Sequence, residues 1–310
     1  MCAMPDRTAV VLVNPIAGTP GRAQTGAHML ARALRRHGWQ VDVQVVRGRA
    51  AMQAHARAAA EQGYTVVFVA GGDGSYRAAA EGLVGRDTAL GPLPLGSRNV
   101  LARSIGLTTP RGWAWVRDWE AQAARLARHG RVVQRRDVGR VNGLAFLSWA
   151  GVGFDAAIVH RLERARRAPR GQVVWRYAWT VLRMLRGWRG FHAQQPPTPQ
   201  PQWMWLVFKE PRYAGDLVRL RVPARPDDGR LWWWRVPGQG WQGLARAARA
   251  WLSGHWRGHM PEVAPLAWPA TWRLAAAQPV HLDGDPLLDA TVLTWRLERQ
   301  AVAVWGLEEV

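Results

Sequence analysis

A glycine-rich turn that carries one carboxylate and one hydroxyl follows a short apolar run in the first third of the chain. The turn is Gly71–Ser75 (GGDGS), the run is Val66–Ala70, and the alanine-rich segment Tyr76–Leu83 follows at once. The apolar run predicts a buried strand and the alanines favour a helix. Glycines let backbone N–H groups approach a ligand, and a helix start adds unpaired donors with partial positive charge. These residues predict a phosphate-binding turn, with Asp73 facing a metal ion beside the phosphates.

This turn differs from the lysine-containing loop of P-loop NTPases. The chain has one lysine, Lys209, and no G-x-x-x-x-G-K-[ST] motif. Two plainer interpretations stay open from the residues alone. The turn is an ordinary strand-to-helix connection, or Asp73 only caps the helix that follows.

Five further motifs flank the turn. They combine glycine, proline, asparagine and aspartate at short spacings, and they are Asn14–Gly18 (NPIAG), Pro94–Arg103 (PLGSRNVLAR), Gly151–Ala156 (GVGFDA), Pro223–Leu231 (PARPDDGRL) and Asp283–Asp285 (DGD). Together with the GGDGS turn, which resembles a GGDGT signature, they are similar to the motifs of the diacylglycerol kinase catalytic-domain family. That family holds soluble bacterial lipid kinases, sphingosine kinases and ceramide kinases.

The resemblance implies both a fold and an activity. The fold is α/β plus β: a parallel α/β nucleotide-binding domain like that of phosphofructokinases and NAD kinases, then an antiparallel β-sandwich domain with inserted helices. The implied activity is transfer of the γ-phosphate of Mg-ATP to a lipid hydroxyl, that of diacylglycerol or a related lipid. The expected domains are residues 1–135, residues 136–300, and a segment 301–310 that returns to the first domain.

The order of segments agrees with this organisation. Strand-like and helix-like segments alternate up to about residue 140, which favours a mainly parallel sheet, and strand-like segments dominate afterwards. Ligands of parallel sheets bind outside the carboxyl ends of the strands, where three of the motifs fall.

The resemblance assigns nucleotide binding to the first three motifs. The residues expected to bind ATP are Asn14, Pro15, Ile16, Ala17, Gly18, Gly71, Gly72, Asp73, Gly74, Ser75, Ser97 and Asn99. Ser75 stands where the family has threonine, and it keeps the hydroxyl.

Three aspartates are expected to act in catalysis, namely Asp73, Asp285 and Asp137. Asp285 stands where the family carries the glutamate of D-G-E, which is often assigned as the proton acceptor. Asp137 matches an aspartate assigned in relatives to an acid–water–metal network. We rank Asp285 slightly ahead as the base, although its shorter side chain must still reach the hydroxyl. The plainer interpretation of Asp137 is a strand-end carboxylate paired with Arg135 or Arg140.

Two more sites are implied for the second domain. Asp228, with the backbone oxygens of Arg225 and Arg230, resembles a structural Mg²⁺ site, and the alternative is a tight Asp-Asp-Gly turn. Asp155 is expected to contact the substrate headgroup or to cap the following helix, and capping is the favoured interpretation.

The chain departs from the family pattern at several positions. Val100 stands where the family has aspartate, Asp285 replaces glutamate, and the segment Tyr213–Asp216 lacks the usual glycine-rich run. These changes leave open the alternative of a family member that binds nucleotide and lipid without turnover. An NAD kinase, which shares the Gly-Gly-Asp-Gly turn, is a more distant alternative.

Composition limits the class of protein. A chain of 310 residues with 48% hydrophobic and 21% charged residues fits two globular domains. The single cysteine, Cys2, cannot form an internal disulfide, which favours a reducing cytoplasm. The sequence contains no signal-peptide pattern and no apolar run long enough to cross a membrane. We therefore expect a cytoplasmic protein.

The formal net charge of +20 predicts an anionic partner. The arginines are dispersed along the chain, so we expect no nucleic-acid partner and instead peripheral association with the anionic inner face of the membrane. The segment Val173–Trp188 fits either an ordinary surface helix or a basic amphipathic helix that meets the bilayer. A homodimer stays a hypothesis, and no motif identifies the lipid.

Overall fold

The computed structural model describes residues 7–19, 21–96, 99–108, 112–165, 173–213, 218–220, 222–252, 263–287 and 289–307. The chain divides into two compact units. The first comprises Met1–Val138 and Arg299–Val310, and the second comprises Gly139–Glu298.

The first unit is built on a sheet of parallel strands. Its strands are β1 (Thr8–Val13), β2 (Gln40–Val45), β3 (Val66–Gly71), β4 (Ala89–Pro94) and the C-terminal part of β17 (Ala290–Gly306). They lie in the order β2-β1-β3-β4-β17, and each neighbouring pair is parallel. Every residue of β3 and β4 is buried, as expected for central strands of a covered parallel sheet.

Helices cover both faces of this sheet. They are α1 (Arg22–Arg36), α2 (Arg49–Glu61), α3 (Asp73–Leu83), the single turn α4 (Val100–Arg103) and α5 (Trp115–His129), with a 3₁₀ turn at Gly112–Ala114. The chain steps outward from β1 to β2 and then back across β1 to β3. Because such crossovers are right-handed, α1 lies on one face and α2 on the other. The helix α5 packs beside α1, where Trp119 Nε1 donates to the Gly26 carbonyl at 2.8 Å, and α3 packs beside α2.

The second unit contains a six-stranded antiparallel sheet. Its strands are β7 (Trp149–Gly153), β9 (Gln202–Phe208), β12 (Leu231–Pro237), β13 (Val263–Leu266), β15 (Val280–Leu282) and β16 (Asp285–Pro286). They lie in the order β13-β12-β9-β7-β15-β16.

A second layer of strands packs on one face of that sheet. It includes β6 (Leu144–Phe146), β8 (Ala193–Gln195), β14 (Ala270–Gln278), the end of β5 (Arg131–Val141) and the start of β17. A core rich in tryptophan fills the space between the layers, and Trp272 lies 4.8 Å from Trp205 and 4.7 Å from Trp295, measured between ring centroids. A short pair, β10 (Arg212–Tyr213) and β11 (Val218–Arg219), completes the strands. The β-sandwich expected from the sequence is confirmed.

Three helices cover the other face of the six-stranded sheet. They are α6 (Phe154–Ala165), α7 (Val173–Gly187) and α8 (Gly240–Leu252). A second apolar cluster, which contains Leu185 of α7 and Ala247 of α8, joins these helices to the sheet. Among the described residues, no helix combines the length and the apolar character needed to cross a membrane.

Candidate functional site

Three turns meet at the carboxyl ends of β1, β3 and β4 in the first unit. The backbone N–H of Asn14, after β1, donates to the Ala70 carbonyl at 3.0 Å, and its side-chain Nδ2 donates to Ser75 Oγ at 2.9 Å. The N–H of Leu95, after β4, donates to the Gly71 carbonyl at 3.2 Å. The strand order reverses between β1 and β3, and ligands of open α/β sheets bind at such switch points. The structure thus brings together the three predicted motifs.

Glycine is required where these turns touch. A Cβ atom on Gly96 would lie 2.6 Å from the Gly72 Cα, and a Cβ on Gly18 would lie 1.9 Å from the Leu95 carbonyl oxygen. Gly18 also has a φ of +64°, which favours glycine. The glycines therefore let backbone pack on backbone, in addition to the close ligand approach predicted from the sequence.

Asn99 closes the loop after β4. Its side chain is fully buried, its Oδ1 accepts the Gly96 N–H at 3.0 Å, and its Nδ2 donates to the Gly96 carbonyl at 2.8 Å. Its φ of 53° is in the left-handed region, which asparagine tolerates better than most residues. Asn99 thus shapes the loop from within, whereas Ser97, also expected to bind ATP, lies outside the described residues.

Tyr76 is a site residue that the sequence did not reveal. Its buried hydroxyl lies 2.8 Å from the Gly71 carbonyl oxygen and 2.6 Å from that of Leu93, so it joins the ends of β3 and β4. Burial raises the pKa of this phenol well above its ordinary value of 10.0, and the Asp73 charge raises it further. Tyr76 therefore stays a neutral donor across the physiological range. Its position next to the GGDGS turn was the only signal in the sequence.

Asp73 is the first residue of α3, and Gly72 holds the capping position before it. Asp73 Oδ1 accepts the Leu101 N–H of α4 at 3.4 Å. The half-buried carboxylate thus connects the first turn of α3 with α4. No group of three or more His, Cys, Asp or Glu side chains suited to a metal occurs within the described ranges. A single carboxylate still fits Mg²⁺ that arrives with a nucleotide, because the phosphates and water then supply most of its ligands.

The loop after β1 is folded by its own asparagine. Asn14 Oδ1 accepts the Ile16 N–H at 3.2 Å, and the Ala17 N–H donates to the Asn14 carbonyl at 3.2 Å. This local turn leaves the Ile16 side chain 85% exposed, beside Pro15. An exposed apolar side chain at the edge of the site is suited to contact a flat ring such as a nucleobase.

Asp137 is fully buried in the first unit. Its Oδ1 accepts the N–H of Gln300 at 2.8 Å, and Gln300 has a φ of 48°. The two arginines considered as its partners pair elsewhere, Arg135 with Asp87 at 3.0 Å and Arg140 with Glu298 at 2.6 Å. Asp137 therefore holds the strained position in β17, which gives it a structural task in addition to any catalytic one.

The Asp283–Asp285 motif forms the tight turn between β15 and β16 in the second unit. Asp283 and Gly284 both have positive φ, at 51° and 81°. The Asp283 carboxylate accepts three backbone N–H groups, those of Leu147, Ser148 and Trp149, at 2.8, 2.8 and 2.9 Å. The first aspartate is therefore an anchor, and Asp285 is half-buried in β16.

Asp155 belongs to a buried network with a histidine that the sequence analysis missed. His281 Nε2 lies 2.5 Å from Asp155 Oδ2, and the Tyr213 hydroxyl donates to Asp155 Oδ1. The Gly284 N–H donates to His281 Nδ1 at 3.3 Å, so Nδ1 is the acceptor and Nε2 carries the proton toward Asp155. A Cβ on Gly151 would lie 2.3 Å from His281 Nε2, so this position must be glycine. Asp155 thus supports the Asp283–Asp285 turn through His281.

The set expected to bind a structural Mg²⁺ does not fit a metal ion. Asp228 Oδ1 accepts from Lys209 Nζ at 2.9 Å and from the Arg230 N–H at 2.9 Å. Asp228 Oδ2 accepts from the Arg225 N–H at 3.2 Å and from Trp232 Nε1 at 3.3 Å. A carboxylate has about four acceptor positions, and all of them are in use. The Arg230 carbonyl accepts from Lys209 as well. An ammonium group thus contacts the Asp228 and Arg230 oxygens, which does not fit the predicted metal assignment to Arg225, Asp228 and Arg230.

Comparison with known proteins yields one family and a set of similar folds. The family model of the diacylglycerol kinase catalytic domain matches residues 8–134. A Mycobacterium tuberculosis protein named "Diacylglycerol kinase" is 35% identical over 180 residues, which is 56% of this chain and 54% of that protein. A Pseudomonas aeruginosa protein named "Probable lipid kinase YegS-like" is 30% identical over 177 residues, 54% of this chain and 53% of that protein. This chain thus spans about half the length of the curated relatives it matches.

A solved structure extends the likeness of fold to nearly the whole chain. The crystal structure of a diacylglycerol kinase from Bacillus anthracis superposes with a TM-score of 0.64 at 16% identity, covering 98% of this chain and 97% of that one. At this identity the likeness concerns the fold alone. The residues matched by the family model include Asn14, the GGDGS turn and Asn99, whereas Asp155, Asp228 and Asp285 lie beyond them.

Proposed function

Because residues 8–134 match the family model of the diacylglycerol kinase catalytic domain, we propose that the chain is a lipid kinase that transfers the γ-phosphate of Mg-ATP to a lipid hydroxyl. The convergence of three turns at the carboxyl ends of β1, β3 and β4 carries the proposal. It is supported by the Asn14–Ser75 hydrogen bond and by the backbone approach of Gly72 and Gly96.

The first unit is proposed to hold the nucleotide. The glycine turn after β3, at the N-terminus of α3, would present backbone N–H donors and partial positive charge to the phosphates. Asn14 and Ser75 add side-chain polar groups at the same edge. The Asn99 side chain keeps the third turn in place without having to touch the nucleotide. Phosphoryl transfer needs mainly such positioning and charge stabilisation, and little covalent chemistry from the protein.

Asp73 is the residue proposed to hold Mg²⁺. When bound, the ion would offset the negative charge of the phosphates. Asp73 presents its carboxylate at the first turn of α3, and its hydrogen bond with the Leu101 N–H keeps the side chain oriented. The half-buried setting makes its charge more effective than it would be in bulk water.

Asp285 is proposed to accept the proton of the lipid hydroxyl. Its backbone is fixed by the Asp283 anchor and by the His281–Asp155 pair, so the turn that carries Asp285 is held rigidly. A base must be held within hydrogen-bond reach of its proton, and a rigid turn favours that. Asp137 remains the second candidate, although its bond to Gln300 already gives the carboxylate a structural task.

The second unit also has a surface suited to an anionic bilayer. Trp179 and Leu182 of α7 are 68% and 43% exposed. Trp179 and Arg183, with Arg161 of α6, line a cavity of about 420 Å³. Exposed tryptophan beside arginine is typical of helices that lie in the membrane interface. Peripheral membrane association is part of the proposal.

The test is transfer of labelled γ-phosphate from Mg-ATP to a panel of lipids in mixed micelles, with NAD as a control acceptor. A labelled lipid supports the proposal and identifies the lipid. Label on NAD alone would replace it with an NAD kinase.

A second candidate is a family member that binds nucleotide and lipid without turnover. The observation that favours it is Val100, an apolar residue at the first position of α4, directly before the residue that contacts Asp73. Measurable ATP binding with no labelled product on any acceptor would support this candidate.

A further inference from the structure

Lys209 is the only lysine among 42 lysine and arginine residues, and it is fully buried. It directly follows β9, and its backbone N–H donates to the Ser148 carbonyl at 3.0 Å. Its ammonium donates to Asp228 Oδ1 at 2.9 Å and to the Arg230 carbonyl. These oxygens belong to the set that the family resemblance gives to a structural Mg²⁺. The same oxygens therefore surround a cation that is part of the chain.

We propose that the Lys209 ammonium takes the place of a structural divalent cation, so that the second unit folds without metal. This inference goes beyond the proposed kinase activity and does not depend on it.

Each carboxylate of the loop faces a positive charge that the chain itself supplies. Asp228 faces Lys209, and the neighbouring Asp227 faces the Arg225 guanidinium, whose Nε lies 3.2 Å from Asp227 Oδ1. Two carboxylates are thus paired with two single positive charges. A divalent ion placed among the same oxygens would meet the Lys209 ammonium at close range, and the repulsion would exclude it.

The type of the residue also agrees with this role. Lysine is a compact point charge with three donors, whereas the arginine guanidinium is a wide planar fork. A chain that otherwise uses arginine throughout has lysine at this buried position, where a compact cation contacts a carboxylate and a carbonyl. Burial raises the pKa of Asp228, but the hydrogen bonds from Lys209, Arg230 and Arg225 lower it by more, so the net pKa is below its ordinary value. The Asp228 carboxylate is therefore ionised at neutral pH.

The experiment measures thermal unfolding of the full chain without nucleotide, in EDTA and in millimolar MgCl₂ or CaCl₂. The wild-type protein is expected to unfold at the same temperature in all three and to carry no divalent metal by elemental analysis. Lys209→Met is expected to lower the unfolding temperature by about 10 °C, because it leaves a carboxylate buried without its cation. Arg230→Met is the matched control. It removes an exposed positive charge from the same loop and keeps the two backbone contacts of Arg230, so its unfolding temperature should stay near that of the wild type.

Lys209→Ala provides the sharper test, because it opens space beside Asp228 and the Arg230 carbonyl. Its unfolding temperature is expected to rise with MgCl₂ or CaCl₂, and the added substitution Asp228→Asn should remove that response. Failure of both ions to stabilise a folded Lys209→Ala would reduce the contact to an ordinary ion pair and overturn the proposal. If the variants fail to fold, the metal dependence of the wild-type unfolding temperature still tests the proposal. A metal-dependent rise in wild-type stability that Asp228→Asn abolishes would show a metal site and also overturn the proposal.

Discussion

His281 Nε2 lies 2.5 Å from Asp155 Oδ2, and the two residues are 126 positions apart in the sequence. The pair connects the start of α6 with the strand that leads into the Asp283–Asp285 turn. The other imidazole nitrogen accepts the Gly284 N–H, so the orientation of the ring is fixed from both sides. His281 is thus placed to orient the backbone that carries Asp285, while it need not contact a substrate itself.

The first prediction follows from this pair. His281→Asn is expected to lower kcat for lipid phosphorylation by about tenfold or more, which corresponds to roughly 1.4 kcal/mol of transition-state stabilisation. The KM for ATP should stay unchanged, because the nucleotide motifs belong to the other unit. His160→Gln is the matched control, since His160 Nε2 contacts a backbone carbonyl of the strand that carries His281, that of Val280 at 2.8 Å. Equal losses in both variants, or a loss confined to thermal stability, would show that His281 only supports the fold.

We predict that substitution of Asp283 lowers stability, whereas substitution of Asp285 lowers turnover. Asp283→Ala leaves three buried backbone N–H groups without their acceptor, so we expect the free energy of unfolding to fall by about 3 kcal/mol or more in urea titrations. Asp285→Asn keeps the volume and the turn, so it should leave the unfolding midpoint in place and reduce turnover by about a hundredfold. Full activity of Asp285→Asn would transfer the role of base to Asp137.

The sequence predicted the first unit well because its signals are local. Apolar runs gave the buried strands, each glycine motif followed such a run, and parallel strand order brings their carboxyl ends to one edge. The start of α3 was still misplaced by three residues. Asp73 and Gly74 have low helix propensity, yet they adopt helical backbone because the turn after β3 requires it.

The network of the second unit was not predictable in the same way. Its parts are pairs distant in sequence, such as Asp155 with His281 and Lys209 with Asp228, and no short motif encodes which side chains will meet. The helix α8 (Gly240–Leu252) was also missed, because it starts with glycine and tryptophan, residue types that are like those of the neighbouring strand segments. Lys209 had a signal in its rarity, and the composition alone gave no reason to connect it with Asp228.

Asp73→Asn is predicted to abolish turnover while the fold persists. The change removes the carboxylate charge proposed to hold Mg²⁺, and it keeps an oxygen for the 3.4 Å contact with the Leu101 N–H. We expect phosphate transfer to fall by about a hundredfold or more, with an unaltered unfolding temperature. Asp87→Asn is the control, since Asp87 is fully exposed and pairs at the surface with Arg135. A fully active Asp73→Asn would mean that the phosphates bind elsewhere.

From the raised pKa of Tyr76 we predict that the protein loses stability at high pH. Its pKa is raised in the folded state, so between about pH 10 and that raised value the folded chain holds a proton that the unfolded chain has released. Stability is therefore complete below pH 10 and falls above it, by up to about 1.4 kcal/mol per pH unit for this one group. In Tyr76→Phe the free energy of unfolding should therefore fall less steeply with pH above pH 10. At pH 7 the variant should be less stable by about 1–2 kcal/mol, because the Gly71 and Leu93 carbonyls lose their donor.

Tyr64→Phe is the control for Tyr76. The hydrogen bond with Asp42 also raises the pKa of Tyr64, but this pair lies at the surface. Tyr64→Phe should therefore change the pH dependence of the unfolding free energy much less. Urea unfolding between pH 7 and pH 11 measures both variants. If the unfolding free energy of the wild type and of Tyr76→Phe changed equally with pH, the assignment of Tyr76 as a buried neutral donor would be contradicted.

Val100→Asp tests whether the missing carboxylate limits the proposed kinase activity. Val100 is the first residue of α4 and is half-buried, so an aspartate there would lie next to the Leu101 N–H that Asp73 accepts. A second carboxylate near the proposed Mg²⁺ should lower the magnesium concentration that gives half-maximal activity, because the ion gains a charged ligand. We expect kcat itself to change by less than about threefold, since the phosphate turns are already complete. Val100→Asn, which has the same shape without the charge, should leave the magnesium dependence unaltered. A gain in turnover of tenfold or more in Val100→Asp alone would instead identify the natural chain as a binder that has lost its catalytic function.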